Sequence, residues 1–372
     1  MSTAGPGGSP RAARLARARA AMEAAGVDAL LLSLGADLPW LSGYEAMPLE
    51  RLTMLVVPVN AAATLVVPAL EAPRVEPDAS AFDIRAWAER EDPVAIVATL
   101  VGSRSHLAVS DRTWATFVLG LQDARPAAVW SRASAVTGPL RAIKDDAEIE
   151  ALAAASAAAD RVAADLLGGA IPLVGRTEAE VSADIGRRLI AEGHQRVNFA
   201  IVGSGPNSAS PHHDPGARRI GAGEAVVCDF GGTMDGYCSD ITRTVFTGPP
   251  PAEFTALYDV LEEAQATSVA AARIGTTCEA VDAAARDRIT AAGFGDAFMH
   301  RTGHGIGLEE HEDPYIVAGN DAALVAGHAF SVEPGIYLAG RFGARIEDIV
   351  VAAPDGPRSL NQADHALTVV EA

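Results

Sequence analysis

Two carboxylates interrupt an apolar, strand-like segment in the second half of the chain. Asp229 and Asp240 lie on either side of Asp235-Gly236, a strong signal for a two-residue turn. Pairing about this turn places Asp229 opposite Thr242 and puts Asp240 on the same face, with Cβ atoms roughly 7 Å apart. A carboxylate among apolar residues is unfavourable unless it is paired or binds a metal. The hairpin therefore predicts a metal site, and a solvated hairpin face is the alternative.

A second predicted hairpin carries two more carboxylates. Glu333 belongs to the segment Phe330-Ser-Val-Glu-Pro-Gly-Ile-Tyr, and Glu347 belongs to Gly343-Ala-Arg-Ile-Glu-Asp-Ile-Val-Val. Pairing centred on Gly340 places Glu333 directly opposite Glu347. The two hairpins thus contribute four carboxylates.

Histidines and glycines lie between these hairpins in the sequence. The segment from His300 to His311 also presents His304, and its glycines let the backbone approach a site closely. A further pair, His212-His213, follows a strand-like segment. Four carboxylates and a histidine suit two divalent cations, which polarise a carbonyl oxygen and lower the pKa of a bridging water.

The elements that position these residues change in character near residue 140. All four tryptophans precede this point, and eight of the nine histidines follow it. Before it, short apolar runs alternate with helical stretches, which predicts an α/β domain over residues 1–138. After it, residues 139–372 predict an α+β domain in which helices are followed twice by a carboxylate-bearing hairpin. Capping residues at Asp145 or Asp146 and at Thr177 begin its first two helices.

Composition narrows the class of protein. The chain of 372 residues carries a formal net charge of −19, which disfavours binding to nucleic acid and to anionic membrane surfaces. Three cysteines without CxxC spacing indicate neither a disulfide framework nor a thiolate zinc site. The sequence shows no run of the length that a membrane helix needs and no signal peptide after its Gly/Pro/Ser-rich beginning. These features predict a cytoplasmic enzyme.

The residues around the predicted ligands resemble the pita-bread metallopeptidases, a family that includes prolidase, aminopeptidase P and methionine aminopeptidase. The resemblance rests on Ser-Asp-Ile-Thr-Arg-Thr, Gly-His-Gly-Ile-Gly-Leu, Glu-Pro-Gly-Ile-Tyr and Arg-Ile-Glu-Asp. It implies that Asp229 binds one metal ion, that Asp240 and Glu347 bridge both, and that His304 and Glu333 bind the other. It also implies that Glu333 is the general base.

The same resemblance assigns further roles. His212 and His311 are implied to act on the substrate during catalysis, His300 and Tyr337 to line the substrate pocket, and Arg345 to hold a metal-binding carboxylate. The implied fold is a creatinase/prolidase-like N-terminal domain followed by a pita-bread catalytic domain. The implied assembly is a homodimer.

The expected activity is hydrolysis of the Xaa-Pro bond of dipeptides through a metal-bridging hydroxide. An Xaa-Pro aminopeptidase acting on longer peptides and a member of the family that only binds peptides are the alternatives. Two divalent ions are expected, manganese first, with cobalt, zinc or iron as alternatives. Prolidases often carry a basic residue after the His-Glu segment, where this chain has Tyr315. His300, Tyr315 and Arg341 are therefore the candidates for binding the carboxylate of a dipeptide.

Overall fold

The computed structural model describes residues 9–371 and divides the chain into two compact units, Met1–Arg141 and Ala142–Ala372. Most of the Gly/Pro/Ser-rich beginning of the sequence, residues 1–8, lies outside the described residues. The division falls where the tryptophan-bearing half of the sequence ends.

The first unit is built on one mixed sheet flanked by helices, as an α/β domain should be. Its strands are β1 (Ala29–Leu32), β2 (Met54–Pro58), β3 (Ala63–Pro68), β4 (Phe82–Trp87), β5 (His106–Val109) and β6 (Val129–Arg132). Its helices are α1 (Pro10–Ala25), α2 (Asp37–Ser42), α3 (Pro93–Val101), α4 (Ala115–Ala124) and α5 (Ser134–Ala142), the last of which ends at the boundary. The strand order is β4-β3-β2-β1-β5-β6. Apolar residues of the central strands and of α3 form its core.

The sequence pattern predicted most elements of this unit but missed β4, α2 and α5, and α5 contains the helix-disfavouring residues Gly138 and Pro139. Strand β4 was not predicted because its inner residues are largely exposed and include charged side chains, so it lacks an apolar run. Helix α2 was not predicted because it is only six residues long.

The second unit packs four helices against two five-stranded sheets and a hairpin. The helices are α6 (Asp146–Leu167), α7 (Glu178–Ala191), α8 (Ala252–Ala271) and α9 (Cys278–Ala291). The first sheet consists of β7 (Arg196–Ser204), β8 (Ala225–Met234), β9 (Tyr237–Cys238), β10 (Ile241–Thr247) and β18 (Thr368–Val370). The second consists of β11 (Gly303–Gly305), β12 (Glu312–Ile316), β13 (Ala329–Val332), β16 (Asp348–Ala353) and β17 (Gly356–Ser359). Strands β14 (Gly335–Leu338) and β15 (Phe342–Arg345) form the hairpin.

Side-chain caps fix where the first two helices of this unit begin. Asp145 accepts a hydrogen bond from the backbone N–H of Glu148, whose side chain accepts one from the Asp145 N–H. Thr177 and Glu180 form the same reciprocal pair at the start of α7. Each pair satisfies two backbone donors that the helix leaves unpartnered. The predicted start of each helix is confirmed.

The core of this unit lies between helices and sheets and leaves one face of β8 and β10 free for polar residues. Cys228 is fully buried with Val226, Phe230 and Val245 among apolar side chains of α6 and α7. Because side chains alternate along a strand, Asp229 points away from this core. Cys228 therefore packs in the apolar core and does not face the cavity that Asp229 lines. Within residues 9–371, no helix has both the length and the apolar character needed to cross a bilayer.

Candidate metal centre and active site

A cavity of about 490 Å³ in the second unit collects the residues singled out in the sequence. It is lined by side chains from both sheets and from the loops beside them. The lining residues are Phe199, Ile201, Pro211, His212, Asp229, Asp240, His300, Arg301, His304, Glu310, His311, Glu333, Arg345 and Glu347. All five predicted metal ligands are therefore brought to one place.

The first hairpin has the predicted register. Asp235 and Gly236 adopt φ values of 49° and 86°, and they connect Met234 to its partner Tyr237. Positive φ at both turn residues is the signature of the tight hairpin turn that Asp-Gly favours. Asp229 lies opposite Thr242. Asp229 and Asp240 retain only 8% and 3% of their exposure, so the hairpin face is not solvated.

The second hairpin also has the predicted register. Strands β14 and β15 pair about Gly340, and Val332 pairs with Asp348 further along, so the same alignment continues past Glu333 and Glu347. At these two residues, however, the ladder is interrupted. The Glu333 N–H donates to the carbonyl of Thr302, and the Glu347 N–H donates to the carbonyl of Thr242. The register therefore places Glu333 opposite Glu347, as predicted, but as a pair that exchanges no backbone hydrogen bonds, so each N–H donates to a different neighbouring segment.

His304 is presented from β11 between two glycines. A Cβ at Gly303 would lie 1.8 Å from the Ser331 carbonyl oxygen, and one at Gly305 would lie 2.2 Å from that of Asp313. No larger residue fits at either position without moving the backbone, which explains the glycines of this motif. The His304 Nε2 atom lies 3.2 Å from Glu333 Oε1 and 3.8 Å from Asp240 Oδ2.

The donor set fits divalent cations. One ligand atom each from Asp240, His304 and Glu347 lies within 4.8 Å of the others. Oδ1 of Asp229 and Oδ1 of Asp240 are buried without a hydrogen-bond partner. Unpartnered buried carboxylate oxygens are costly, and coordination to a cation satisfies them. Carboxylate oxygens with one imidazole are ligands that hard and borderline divalent ions accept.

The charges of the site point to the same conclusion. Burial, followed by the charge of Glu347 and then that of Asp229, raises the pKa of Asp240 well above its usual value. Burial, followed by the charges of Glu333 and Asp229, has the same effect on the pKa of Glu347. The protein itself provides too little positive charge near these carboxylates to compensate their negative charges. Divalent ions bound here would supply the missing charge.

Glu333 differs from the other carboxylates. Burial raises its pKa, but the hydrogen bond and charge of His304 outweigh burial and bring the pKa to about 2. Ser331 Oγ donates to Glu333 Oε1 at 3.0 Å and accepts from the His304 backbone N–H at 3.0 Å. The side chain of Glu333 keeps 15% of its exposure, so it remains ionised at the cavity wall.

Arg345 holds the carboxylate of Asp229 from behind. Its Nη2 atom donates to Asp229 Oδ2 at 2.6 Å, and its Nε atom donates to Thr242 Oγ1 at 3.0 Å. Thr242 Oγ1 in turn donates to Glu347 Oε2 at 2.6 Å. One buried arginine thus orients two predicted ligands, Asp229 directly and Glu347 through Thr242.

Tyr337 is not among the residues that line the cavity. Its hydroxyl accepts from Arg345 Nη1 at 2.8 Å and lies 2.9 Å from His300 Nε2. Since the hydroxyl accepts from the arginine, its own proton is available to His300. Tyr337 therefore lies behind the wall and orients His300, which does line the cavity. Tyr337 was expected to line the pocket, but it lies outside the cavity lining.

The two adjacent histidines face opposite ways. His212 lines the cavity, whereas His213 Nε2 lies 2.8 Å from Glu178 Oε2. Glu178 is fully buried at the start of α7 and also accepts hydrogen bonds from Ser204 and Asn207. Glu178 thus ties the loop that carries His212 to the end of strand β7. Sequence reasoning left His213 ambiguous and overlooked Glu178.

Replacing Glu178 by alanine is expected to destabilise the protein by about 3 kcal/mol or more, because buried donors of Ser204 and Asn207 would lose their acceptor. Urea unfolding measures this loss. The conservative change Glu178→Gln keeps one acceptor oxygen and is expected to cost less. If both variants unfold at the wild-type urea concentration, Glu178 does not anchor this loop.

His311 completes the wall on the side of His304. The two imidazole rings have centroids 3.9 Å apart. Burial, followed by the charges of His304 and Arg301, lowers the pKa of His311 to about 4, so its ring is neutral near pH 7. Arg301 Nη2 lies 3.2 Å from His311 Nδ1. Because arginine only donates, Nδ1 is the acceptor and Nε2 carries the ring proton.

Other lining residues were not predicted. Ile201 pairs with Asp229 across β7 and β8, and Phe199 lies two residues before it on the same face. No signal in the sequence identifies β7 as the neighbour of β8, because the choice of strand partner is not local. Of the candidates for a carboxylate-binding residue, Arg341 forms an exposed ion pair with Glu253 and does not line the cavity.

The cluster of carboxylates and a histidine lies on the α+β unit, which follows an α/β unit in the sequence. Residues 148–354 match the model of metallopeptidase family M24, and residues 14–143 match the creatinase/prolidase N-terminal domain. The chain belongs to metallopeptidase family M24 and carries the creatinase/prolidase N-terminal domain. The predicted family, fold class and enzymatic nature are confirmed.

Relatives of similar length indicate which group within the family this chain resembles. The chain is 47% identical over 96% of both chains to a protein of Mycobacterium bovis named probable dipeptidase PepE. It is 35% identical to the Xaa-Pro dipeptidase of Lactobacillus helveticus, covering 92% of this chain and 95% of the relative. The crystal structure of a recombinant prolidase from Thermococcus sibiricus superposes with a TM-score of 0.92 at 36% identity, covering 98% of this chain and all of that one. The chain is thus similar to the dipeptidase and prolidase group within the family.

Proposed function

We propose that this metallopeptidase hydrolyses the Xaa-Pro bond of dipeptides. The observation that carries the proposal is the convergence of Asp229, Asp240, His304, Glu333 and Glu347 in one cavity of about 490 Å³. This volume lies at the small end of the range for ligand pockets. The similarity to proteins named Xaa-Pro dipeptidase and prolidase supports the substrate class.

Two divalent cations complete the proposed site, with manganese as the expected metal and cobalt, zinc or iron as alternatives. Asp229 would hold one ion, His304 and Glu333 the other, and Asp240 and Glu347 both. When bound, such ions polarise the scissile carbonyl and lower the pKa of a water molecule. The oxygen-rich ligand set supports a hard or borderline metal rather than a soft one.

The protein's own groups would handle protons and orientation. Glu333 lines the cavity beside His304, where its carboxylate is placed to accept a proton from the attacking water. The neutral His311 offers an Nε2 proton to the substrate carbonyl or amide, and His212 approaches from the other loop. Arg345 keeps Asp229 in place throughout.

The proposal also covers the cellular location and the oligomeric state of the protein. The three cysteines are buried and unpaired as thiols, which supports a reducing, cytoplasmic environment. A homodimer is proposed from the family resemblance alone.

The test compares an Xaa-Pro dipeptide with an Xaa-Pro-Yaa tripeptide, using metal-stripped protein reloaded with manganese. Preferential hydrolysis of the dipeptide is expected. Preference for the tripeptide would make the protein an Xaa-Pro aminopeptidase, and inactivity on both would refute the proposed function. The Glu333→Gln variant, purified and reloaded in the same way, is the control for contaminating peptidases.

A further inference from the structure

Two permanently charged cations line the cavity, and they differ in how they are engaged. Arg345 donates to the side chains of Asp229, Thr242 and Tyr337 and to the carbonyl of Pro211. Arg301 also lines the cavity, but the ion pairs found among residues 9–371 do not include it. Its polar side-chain contact is with His311, through one of five guanidinium donors. Arg301 therefore has donors left for a negatively charged group in the cavity.

The guanidinium of Arg301 is held in place by an aromatic ring. Its Cζ atom lies 4.6 Å from the centroid of the Tyr315 ring. Stacking on an aromatic face supports a guanidinium while leaving its in-plane donors free. The Tyr315 ring thus supports a cation whose in-plane donors remain available inside the cavity.

The backbone around Arg301 is fixed on both sides. Asp282 is 1% exposed, and its Oδ1 atom accepts from the Thr302 backbone N–H and hydroxyl. Arg286 forms two hydrogen bonds with the same carboxylate and donates to the carbonyl of His300. The carbonyl of Arg301 itself accepts from His300 Nδ1 at 2.7 Å. Arg301 is thus presented from a rigid segment, which favours binding of a small ligand.

We propose that Arg301, supported by Tyr315, binds the C-terminal carboxylate of a dipeptide substrate and so selects dipeptides over longer peptides. This inference rests on the proposed function. In an Xaa-Pro dipeptide the carboxylate carbon is two covalent bonds beyond the scissile nitrogen, so it lies within about 4 Å of the scissile bond. Arg301 contacts His311, whose ring stacks beside the predicted ligand His304. A guanidinium pairs with a carboxylate through two parallel hydrogen bonds.

The test compares leucyl-proline with leucyl-prolinamide, in which the carboxylate is replaced by a neutral amide. The wild-type protein, loaded with manganese, is expected to prefer the acid. Arg301→Met is expected to lower kcat/KM for leucyl-proline about 10- to 100-fold more than kcat/KM for leucyl-prolinamide, and this difference is expected mainly in KM. Arg301→Lys keeps the charge without the planar fork, and it is expected to recover part of the preference.

The matched control is Arg341→Met, the same chemical change in an exposed ion pair with Glu253. It is expected to leave the ratio between the two substrates unchanged. Equal losses on acid and amide in Arg301→Met would overturn the proposal, because Arg301 would then act only by orienting His311. A wild-type protein that does not distinguish acid from amide would overturn it as well.

A binding measurement separates this proposal from the proposed function. Calorimetric titration with proline and with prolinamide reports on the carboxylate without requiring hydrolysis. Proline is expected to bind the wild type more tightly than prolinamide, and Arg301→Met is expected to remove the difference. If the wild type cleaves no peptide but shows this difference, the proposed function fails while the carboxylate site stands. If the difference is absent, the role of Arg301 is refuted whether or not peptides are cleaved.

Discussion

Replacing Asp240 by asparagine is expected to lower the bound divalent metal substantially and to reduce kcat/KM by about 1,000-fold or more. The buried carboxylate has an Oδ1 atom without a partner in the protein, and it lies beside His304 and Glu347. An asparagine removes the charge that a shared metal ligand must supply, and metal ions contribute several kcal/mol to such reactions. Metal analysis by mass spectrometry and steady-state hydrolysis of an Xaa-Pro dipeptide measure the two effects.

The same variant is expected to be more stable than the wild type when both are metal-free, by about 1 kcal/mol or more. Burial and neighbouring negative charges oppose ionisation of Asp240, and a neutral amide relieves that repulsion. Asp235→Asn, the same change at the exposed turn of the hairpin, is the matched control and is expected to alter neither activity nor stability. Full metal content and full activity in a folded Asp240→Asn protein would remove Asp240 from the site.

Replacing Arg345 by methionine is expected to destabilise the metal-free protein by about 3 to 5 kcal/mol. Arg345 is 2% exposed and is the cationic partner of the buried Asp229 carboxylate. Its loss leaves a buried charge without compensation, which costs far more than the net contribution of the pair. Chemical denaturation followed by fluorescence measures the change, and Arg358→Met, on an exposed part of β17, controls for the loss of an arginine.

A double variant distinguishes this explanation from simple loss of packing. Asp229→Asn combined with Arg345→Met removes the uncompensated charge, so it is expected to regain part of the stability lost by Arg345→Met alone. The double variant is expected to remain inactive, because a predicted metal ligand is absent. If the second substitution instead adds its own full loss of stability, the two side chains do not act as an ion pair.

Local patterns in the sequence were sufficient for much of the fold. The Asp235-Gly236 turn fixes its hairpin because few turn geometries suit that pair of residues, and the capping pairs fix where α6 and α7 begin. The interruption of the second hairpin at Glu333 was not predictable in the same way. It depends on hydrogen bonds to Thr302 and Thr242, which belong to distant segments.

The same distinction between local patterns and contacts of distant segments applies to the candidate site. The candidate ligands could be singled out because carboxylates are rare in apolar strands, so each one is informative by its type. Arg301 and Glu178 carry no such signal, since charged residues are common beside loops and helix starts. Their importance follows from burial, stacking and shared partners, which exist only after the chain has folded.

The separate backbone anchors of Glu333 and Glu347 affect how the ion preference of such a site can change during evolution. Glu333 is anchored to Thr302 and Glu347 to Thr242, while Asp229 belongs to the middle of β8. A substitution that repacks the segment around Thr302 would therefore shift the predicted ligand Glu333 alone, whereas one near Thr242 would shift Glu347 together with Asp229, which pairs with Thr242. Preference for ions of larger or smaller radius can consequently drift in small, separate steps during evolution, without loss of the surrounding architecture.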